Sequence, residues 1–467
     1  MSTSVDARRD ELVRPFLGQD STRLRLSRTT QSVVGFTGRI AAIVAAVLIT
    51  QGVHGDRLLW LGVATGIWAL SIQISVGRYA SELQALGPSA SVLHGTTLGL
   101  ITTLAASAIA KEAPASASSL MLTGAFVFMF VALWATLFRR FVATPKRIII
   151  VGADSAGQSI AEELRSRPHP SFEAIGFVSD DVAAPSFHGI PNLGGSQDLP
   201  DLTWRMRPDI VVLALDHNRP AVFAQLLESA RADFRVVEAA QFCEHAFGHV
   251  PVRDVTRAWF VSVLHLYQRP YSRFSKRAFD IVGAIMGLAV TAPILLPAMA
   301  MLAFSRGSVI YRQERVGEHG KTFTMFKLRT MSENAEEPGR PQWAREKDPR
   351  VTGAGKLMRR LRIDELPQLW NVLRGEMSIV GPRPERPEFM KYLEETVPFW
   401  SRRQLVKPGI TGWGQIRLGY TANADESSGK LSYDLWYLRH RSLAVDFWIC
   451  LQTVGVILTG DRRKATV

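Results

Sequence analysis

The residues best able to carry group-transfer chemistry fall between Asp348 and Glu385, where the run RIDELPQLWNVLRGEMSIVGPRPE sets two acids, Asp364 and Glu365, side by side. Arg383 stands between Pro382 and Pro384 in the same run, and Lys327 and Arg329 lie upstream in KLRTM. Phosphoryl transfer needs a nucleophile, neutralisation of phosphate charge and a place for the leaving group. The acids can supply the first and the cations the second. Asp364 is placed to cap a helix with Glu365 in its first turn, and Pro367 is tolerated there because early helical N–H groups lack partners. Such a helix start presents free N–H groups and positive dipole, which favours an ionised Asp364 and a nearby phosphate. Taken alone, the pair reads first as an ordinary N-cap and its dipole partner, and it is the neighbouring motifs that favour chemistry. Arg383 sits on backbone stiffened by two prolines, which suits bidentate phosphate binding. In KLRTM apolar and basic residues alternate, so a strand puts Lys327 and Arg329 on one face.

These side chains need a frame. Leu366, Leu369, Trp370 and Leu373 recur with helical period behind the acid pair. RQERVGEHGKTFTMFKLRTM runs from Arg312 to Met331, and KPGITGWGQI from Lys407 to Ile416. In this order, over residues 270–467, the three stretches resemble the bacterial sugar transferase family, the monotopic phosphoglycosyl transferases. The whole chain is similar to the long exopolysaccharide-type members, which include undecaprenyl-phosphate galactose and glucose phosphotransferases.

The resemblance implies that Asp364 attacks the sugar-bearing phosphate of a UDP-sugar, expels UMP and passes the sugar phosphate to polyprenyl (undecaprenyl) phosphate. That step starts exopolysaccharide, capsule or O-antigen synthesis. It further implies that Glu365, with Asp364, holds Mg²⁺, and that Arg383 is the essential phosphate-binding arginine, with Lys327 and Arg329 also on phosphate. Gln313, Arg315, Gln368 and Asn371 are weaker candidates, for the site's lining or for a structural role. Consecutive helix residues diverge by about 100°, so the two acids meet a phosphate from different directions, which favours shared metal over a shared proton. Leu328 and Thr330 stand where the family usually has Phe and Ser, changes that remove no charge. The long members also imply a homodimer.

Composition narrows the partners. The chain has 467 residues, 47% of them hydrophobic, and a net charge of +13, too long for one ordinary domain and basic enough to favour an anionic partner. Apolar stretches point to a lipid bilayer, and no zinc-finger spacing or nucleic-acid motif points to nucleic acid. Two cysteines, Cys243 and Cys450, suggest neither a disulfide framework nor a zinc site and fit a reducing compartment. Residues 1–32 form an arginine-rich cytosolic tail without a signal peptide's core. Four spans are expected within 33–140, at 33–53, 58–76, 94–110 and 119–138. Arg139, Arg140, Lys146 and Arg147 follow the last, so the positive-inside rule puts both ends in the cytosol, and Arg39 can snorkel.

Over 145–255, RIIIVGADSAGQSIAEEL opens a Rossmann-like α/β domain, with further strands at 174–178, 210–215 and 235–238. Asp154 takes the place of the dinucleotide fingerprint's second glycine, and its carboxylate repels a pyrophosphate. A structural or oligomerising module is the expectation there. Residues 279–304 are apolar, broken by Pro293 and Pro297 and flanked by basic residues on both sides, which predicts a re-entrant helical hairpin with its break at Pro293. The family commonly has Ser-Pro where Ala292-Pro293 stands. Near the C-terminus, Trp436, Tyr437 and Trp448 suit interfacial helices, with a core helix as the alternative. The expected fold is thus a multi-pass inner-membrane protein, α and α/β: a four-helix transmembrane block, a Rossmann-like domain, and a mainly α cytosolic catalytic domain over 270–467 with a re-entrant helix. Competing readings are a nucleotide-sugar oxidoreductase using NAD and a non-catalytic assembly scaffold. Asp154 weighs against the first and the intact motifs against the second.

Overall fold

The apolar stretches of the first third fold as four helices: α1 (Arg28–Gln51), α2 (Leu58–Tyr79), α3 (Pro88–Ile109) and α4 (Ala117–Phe141). They are seen in a computed structural model that describes residues 28–51, 58–79, 88–109, 116–166, 171–180, 186–187, 189–215, 219–228, 234–252, 255, 270–305, 307–332, 335, 348–418 and 424–459. Most of the expected tail lies outside them. The chain divides into two units, Met1–Gly248 and His249–Val467.

In the first unit the helices pack around Trp68, which is buried with Ile43, Val47, Ile72, Val127 and Val131. Side-chain hydrogen bonds, which gain strength away from water, lock the helices in register. Gln51 donates to the Ser119 and Thr123 hydroxyls at 2.8 and 2.7 Å, and Arg39 donates to Gln73 at 3.2 Å. Among the described residues, Thr30–Gln51, Ala117–Phe141 and Arg273–Ala303 are long and apolar enough to cross a membrane by length and composition.

The rest of this unit alternates strand and helix: β1 (Lys146–Val151), α5 (Ser155–Ser166), β2 (Phe172–Val178), α6 (Leu199–Met206), β3 (Ile210–Leu213), α7 (Arg219–Glu228), β4 (Arg235–Glu238) and α8 (Ala239–Ala246). The strands form one parallel sheet, in the order β2-β1-β3-β4. Ile148 and Ile150 feed one core and Ile149 and Val151 the other, so β1 reads as an unbroken apolar run. Gly152 has φ +114°, and a Cβ there would lie 2.0 Å from the Ala214 carbonyl, so only glycine fits the turn. Asp154 immediately precedes α5, where a pyrophosphate would have to approach.

The second unit is built on α9 (Pro270–Ala303), a single 34-residue helix. It continues through Pro293 and Pro297, so the expected break at Pro293 does not interrupt it, and a re-entrant course requires a bend within one helix. The unit's other elements are a hairpin of β5 (Ile310–Val316) and β6 (Thr322–Leu328), then α10 (Gly353–Arg360), α11 (Gln368–Arg374), β7 (Ser378–Val380), α12 (Pro387–Thr396), β8 (Gly409–Thr411), α13 (Trp413–Leu418), α14 (Ala424–His440) and α15 (Leu443–Thr459).

One side of α9 packs on this unit along its length. Ala284 joins Met325, Leu369, Val372 and Met377, and farther along Leu295 and Leu302 join Leu328 and Met358. Both ends of the helix are held by the same unit: Arg277 donates to the Val372 and Leu373 carbonyls at 2.6 and 2.7 Å, and Ser305, just past the last turn, bonds Arg329. The opposite side leaves Val282, Ile285, Met286, Val290, Ile294 and Leu296 exposed.

Trp436 and Tyr437 correct the interfacial expectation. Both are buried, Trp436 between Trp413 and His440 with ring centroids 5.1 and 4.6 Å away. α14 is a core helix because it buries apolar residues all round, Leu431, Leu435 and Leu438 included. α15 keeps Leu443, Phe447, Leu451 and Val454 exposed and remains the amphipathic element.

Candidate active site

Asp364 and Glu365 lie in a 3₁₀ turn, Ile363–Glu365, that follows Arg362 in the left-handed region at φ 58°. The turn delivers the acids just ahead of α11, whose first residue is Gln368 and whose N-cap is Pro367. Asp364 is therefore not the helix cap that the sequence allowed. Its carboxylate is buried, and its Oδ1 has no hydrogen-bond partner among the described residues. The apolar face behind the pair uses Leu366, Leu369, Val372 and Leu373, while Trp370 points outward and is 55% exposed.

Glu365 is buried and ringed by cations. Its Oε1 accepts from Arg383 at 3.0 Å and Lys327 at 3.4 Å, and its Oε2 from Arg362 at 3.4 Å. Burial alone would raise its pKa, but Arg383, Lys327 and Arg362 outweigh burial and hold the carboxyl well below the usual range. Asp364 goes the other way. Burial raises it first, the charge of Glu365 adds to the rise, and Lys327, Arg359 and Arg362 oppose it only in part. Two neighbouring carboxyls with oppositely shifted affinities for protons are what different roles in one site require. Lys327 is pushed down to about 8, chiefly by burial, with Arg383 and Arg315 adding to the fall against the pull of Glu365.

Arg383 is aimed by a turn whose main chain is tied down on both sides. β7 and β8 run parallel, with Ser378 opposite Gly409 and Val380 opposite Thr411. Gly381 donates to the Thr411 carbonyl, Gly409 to that of Pro382, and Val316 to that of Glu385, each at 2.9 Å. A Cβ on Gly409 would lie 2.1 Å from the Gly381 nitrogen, which explains why KPGITG must pair a glycine with the glycine of GPRP. The Val380 carbonyl accepts from Tyr437, Lys276 and Ser378 at 3.0, 3.2 and 2.9 Å.

The other candidates divide. Arg315 donates to the Pro384 carbonyl at 3.1 Å and to the Gln313 side chain, so this pair supports the Arg383 turn. Gln368 is buried with its Nε2 unpartnered among the described residues, and lies one turn past the acids. Asn371 is fully occupied: it accepts from the Phe326 N–H and donates to the Thr324 carbonyl and to Glu376. It staples α11 to β6 and does not line the site. Arg329 also departs from expectation. β6 ends at Leu328, and the Arg329 side chain turns to Ser305 while its N–H bonds Val309. Of the two KLRTM cations, Lys327 alone is brought to the acid pair.

The family profile described as bacterial sugar transferase matches residues 271–460. A UDP-N-acetylgalactosamine-undecaprenyl-phosphate N-acetylgalactosaminephosphotransferase of Aeromonas hydrophila is 36% identical over 274 residues, 55% of this chain and 63% of the relative. An undecaprenyl-phosphate glucose phosphotransferase of Komagataeibacter xylinus is 33% identical, over 66% of this chain and 58% of the relative. The chain thus spans less than two thirds of the length of these two relatives. A UDP-galactose-lipid carrier transferase of Erwinia amylovora is 31% identical over 347 residues, 68% of this chain and 69% of the relative. The chain belongs to the bacterial sugar transferase family.

In this family member Asp364 fits the Mg²⁺ that the resemblance implies. Among the described residues no cluster of three His, Cys, Asp or Glu side chains forms, but Mg²⁺ on a phosphate substrate typically takes one or two carboxylates and fills its shell with waters and phosphate oxygens. The unpartnered Asp364 Oδ1 is one such donor, whereas both oxygens of Glu365 already accept from Arg383, Lys327 and Arg362, so Glu365 would join it only by giving up one of them.

Several contributors were read differently from the sequence. Lys276 and Arg277 looked like flanking topological charges. Instead Arg277 closes the C-terminal end of α11, while Lys276 bonds the Val380 carbonyl and Asp446, the latter at 2.7 Å. Asp280 accepts from the Ser378 hydroxyl and the Ile379 N–H. The start of α9 thus braces both the helix behind the acids and the turn of Arg383. An i, i+3/i+4 spacing of Lys276, Arg277 and Asp280 on an otherwise apolar helix was the available signal.

Proposed function

We propose that this protein transfers a sugar 1-phosphate from a UDP-sugar to polyprenyl phosphate, giving polyprenyl-diphosphate-sugar and UMP through phospho-Asp364. The observation that carries it is the pairing of a buried Asp364, whose Oδ1 has no hydrogen-bond partner among the described residues, with a Glu365 neutralised by three cations. A carboxylate oxygen of Asp364 attacks the phosphorus that bears the sugar. The bond from that phosphorus to the bridging oxygen breaks, and UMP leaves with the electron pair. An oxygen of polyprenyl phosphate then attacks the acyl phosphate, and the Asp364 carboxylate is restored. Arg383 and Lys327 hold the diphosphate against Asp364 and meet its charge. Mg²⁺ on Asp364 and Glu365, when bound, supplies further neutralisation of the diphosphate.

A membrane-held acceptor calls for a site at the bilayer surface. In this reading α9 enters the cytosolic leaflet through a bend and returns, which agrees with both of its ends resting on one unit and with its exposed apolar side. If straight it would measure about 50 Å, against a hydrocarbon core of about 30 Å. The four N-terminal helices cross the inner membrane with the catalytic unit cytosolic, and a homodimer is part of the same reading.

The test is UMP release from a panel of UDP-sugars by the full chain in bilayers with Mg²⁺ and undecaprenyl phosphate. One donor is expected to give UMP together with a lipid-extractable sugar diphosphate; UMP without the lipid product would point to simple hydrolysis, and no UMP from any donor would sink the proposal.

The pH profile of kcat/KM follows from the same groups. On the acid side activity falls as Asp364 gains a proton, at a pH above the ordinary aspartate value because burial and then Glu365 raise its pKa. On the alkaline side it falls as Lys327 loses its proton near pH 8 and with it the charge that binds the diphosphate. Lys327→Arg is expected to move the alkaline limb upward; an unmoved limb would assign it to another group.

A further inference from the structure

Behind the Arg383 turn lies a buried cluster of four charges that the transfer chemistry does not itself use. Glu385 Oε1 accepts from Lys430 at 2.8 Å and from Arg403 at 3.1 Å, and the other arm of Arg403 reaches Asp434 at 2.6 Å. Lys430, Arg403 and Asp434 are almost wholly buried, and the Arg403 guanidinium lies 4.3 Å from the Trp400 ring centroid. Burial opposes the charge on Glu385, yet Lys430 and Arg403 hold its carboxyl below the usual range.

Stability explains such a cluster poorly, because apolar side chains of similar volume commonly serve a core as well or better. Its field explains it poorly too, since two acids and two bases sum to no net charge. Its place in the chain is more informative. Glu385 is separated from Arg383 only by Pro384, whose fixed φ removes one of the few backbone dihedrals between them. A small pocket lined by Gly317, Arg383, Glu385, Trp400, Arg403 and Gln404 adjoins the turn, so side-chain packing does not hold it on every side. Beside the main-chain bonds of Gly409 and Val316 and the Arg315 contact to Pro384, the ion pairs brace the turn on that side.

We propose that Glu385, Lys430, Arg403 and Asp434 are positioning residues that hold Arg383 on the diphosphate of the substrate. This rests on the reading of Asp364 as phosphate acceptor. Lys430, on α14, and Arg403, ahead of β8, fix the height and tilt of the turn, and Asp434 fixes Arg403. Lys430 and Asp434 are one helical turn apart, so a single helix sets both ends of the cluster.

The test is a double-mutant cycle on the full chain in bilayers, read by UMP release. Lys430→Met is expected to lower kcat/KM by about 100-fold, the scale of a misplaced binding group, and Lys430→Arg to recover most of the loss. In an Arg383→Ala background the same Lys430→Met change should cost under about threefold, because there is no arginine left to misplace. A purely structural role predicts instead the full loss in both backgrounds together with a lower melting temperature, and that result overturns the proposal. Should Lys430→Met not fold, Glu385→Gln, which keeps shape and removes the charge, runs the same cycle with the same two outcomes. Wild-type turnover that is lost in Asp364→Asn supports the underlying reading separately; absence of wild-type turnover overturns that reading, whereas additive losses with wild-type turnover intact overturn only the positioning.

Discussion

Asp364→Asn is expected to lower UMP release by ~10⁴-fold or more while leaving the melting temperature equal to that of the wild type or above it. The amide has nearly the volume of the carboxylate, so the site keeps its shape. What it loses is the anionic oxygen that forms the acyl phosphate. The stability half follows from linkage. Burial first and then Glu365 raise the Asp364 pKa, so the folded state holds that proton more tightly than the unfolded chain does. Stability from this group is present at low pH and is lost as pH rises through its raised folded value. At neutral pH the ionised Asp364 is therefore a cost that asparagine removes, and Oδ1 gives up no hydrogen bond in the exchange. Loss of activity with unchanged or higher stability is the mark of a functional charge held in an unfavourable place. The check is UMP release, capture of the phosphoenzyme from labelled donor, and a melting curve at pH 7. A variant as active as the wild type would leave Asp364 without a covalent role.

Much of this site was legible because its chemistry sits in contiguous runs. The acid pair, Lys327 and Arg383 could be named from residue type together with the family resemblance, and three of these four meet directly, through Glu365. The strands of the parallel sheet were equally readable, since Ile148 to Val151 form a run that a strand buried on both faces requires. What could not be read depends on contacts distant in sequence. Asn371 could be read as a lining or a structural residue, and its contacts to Thr324, Phe326 and Glu376 make it structural. Trp436 and Tyr437 looked interfacial because aromatic and basic residues alternate around them; only the tertiary fold shows Trp413 and Asp446 waiting as partners. Arg329 was placed beside Lys327 by extending the strand one residue too far. Lys276 and Arg277 were misread for a related reason. A charge at the end of an apolar helix satisfies the positive-inside rule whether or not it also reaches a carbonyl in the catalytic unit.

Those long-range contacts bear on how the two substrates of the proposed reaction would meet. The helix whose apolar side is exposed also braces, through Arg277 and Lys276, the α11 helix that follows the Asp364 turn and the β7 strand that leads to Arg383. A shift of α9 would reach both at once, since Arg277 bonds the end of α11 and Lys276 the last residue of β7. The catalytic geometry is thus tied to the seating of this one helix.

Arg383→Ala is expected to give the second largest loss, ~10²- to 10³-fold in kcat/KM for the UDP-sugar, with Arg383→Lys recovering little of it. The arginine has the shortest of the described contacts to Glu365, at 3.0 Å, and a planar fork that meets two phosphate oxygens at once. Lysine restores the charge but neither the fork nor the reach, so the substitution is not conservative here. Removal of Arg383 also leaves Glu365 with Lys327 and Arg362, both at 3.4 Å, and its carboxyl moves back toward the usual range. Because Glu365 is buried, that lost partner should lower stability by roughly 1–3 kcal/mol, in contrast to Asp364→Asn. The direction of the stability change separates the two proposed roles: a destabilising charge kept for reactivity at Asp364, and a stabilising one at Arg383 that the diphosphate would recruit from Glu365. Measuring kcat/KM and melting temperature for both variants tests this directly. If Arg383→Ala melted at or above the wild-type temperature, the 3.0 Å pair would not be holding the site in the absence of substrate, and the recruitment of Arg383 by the diphosphate would fail with it.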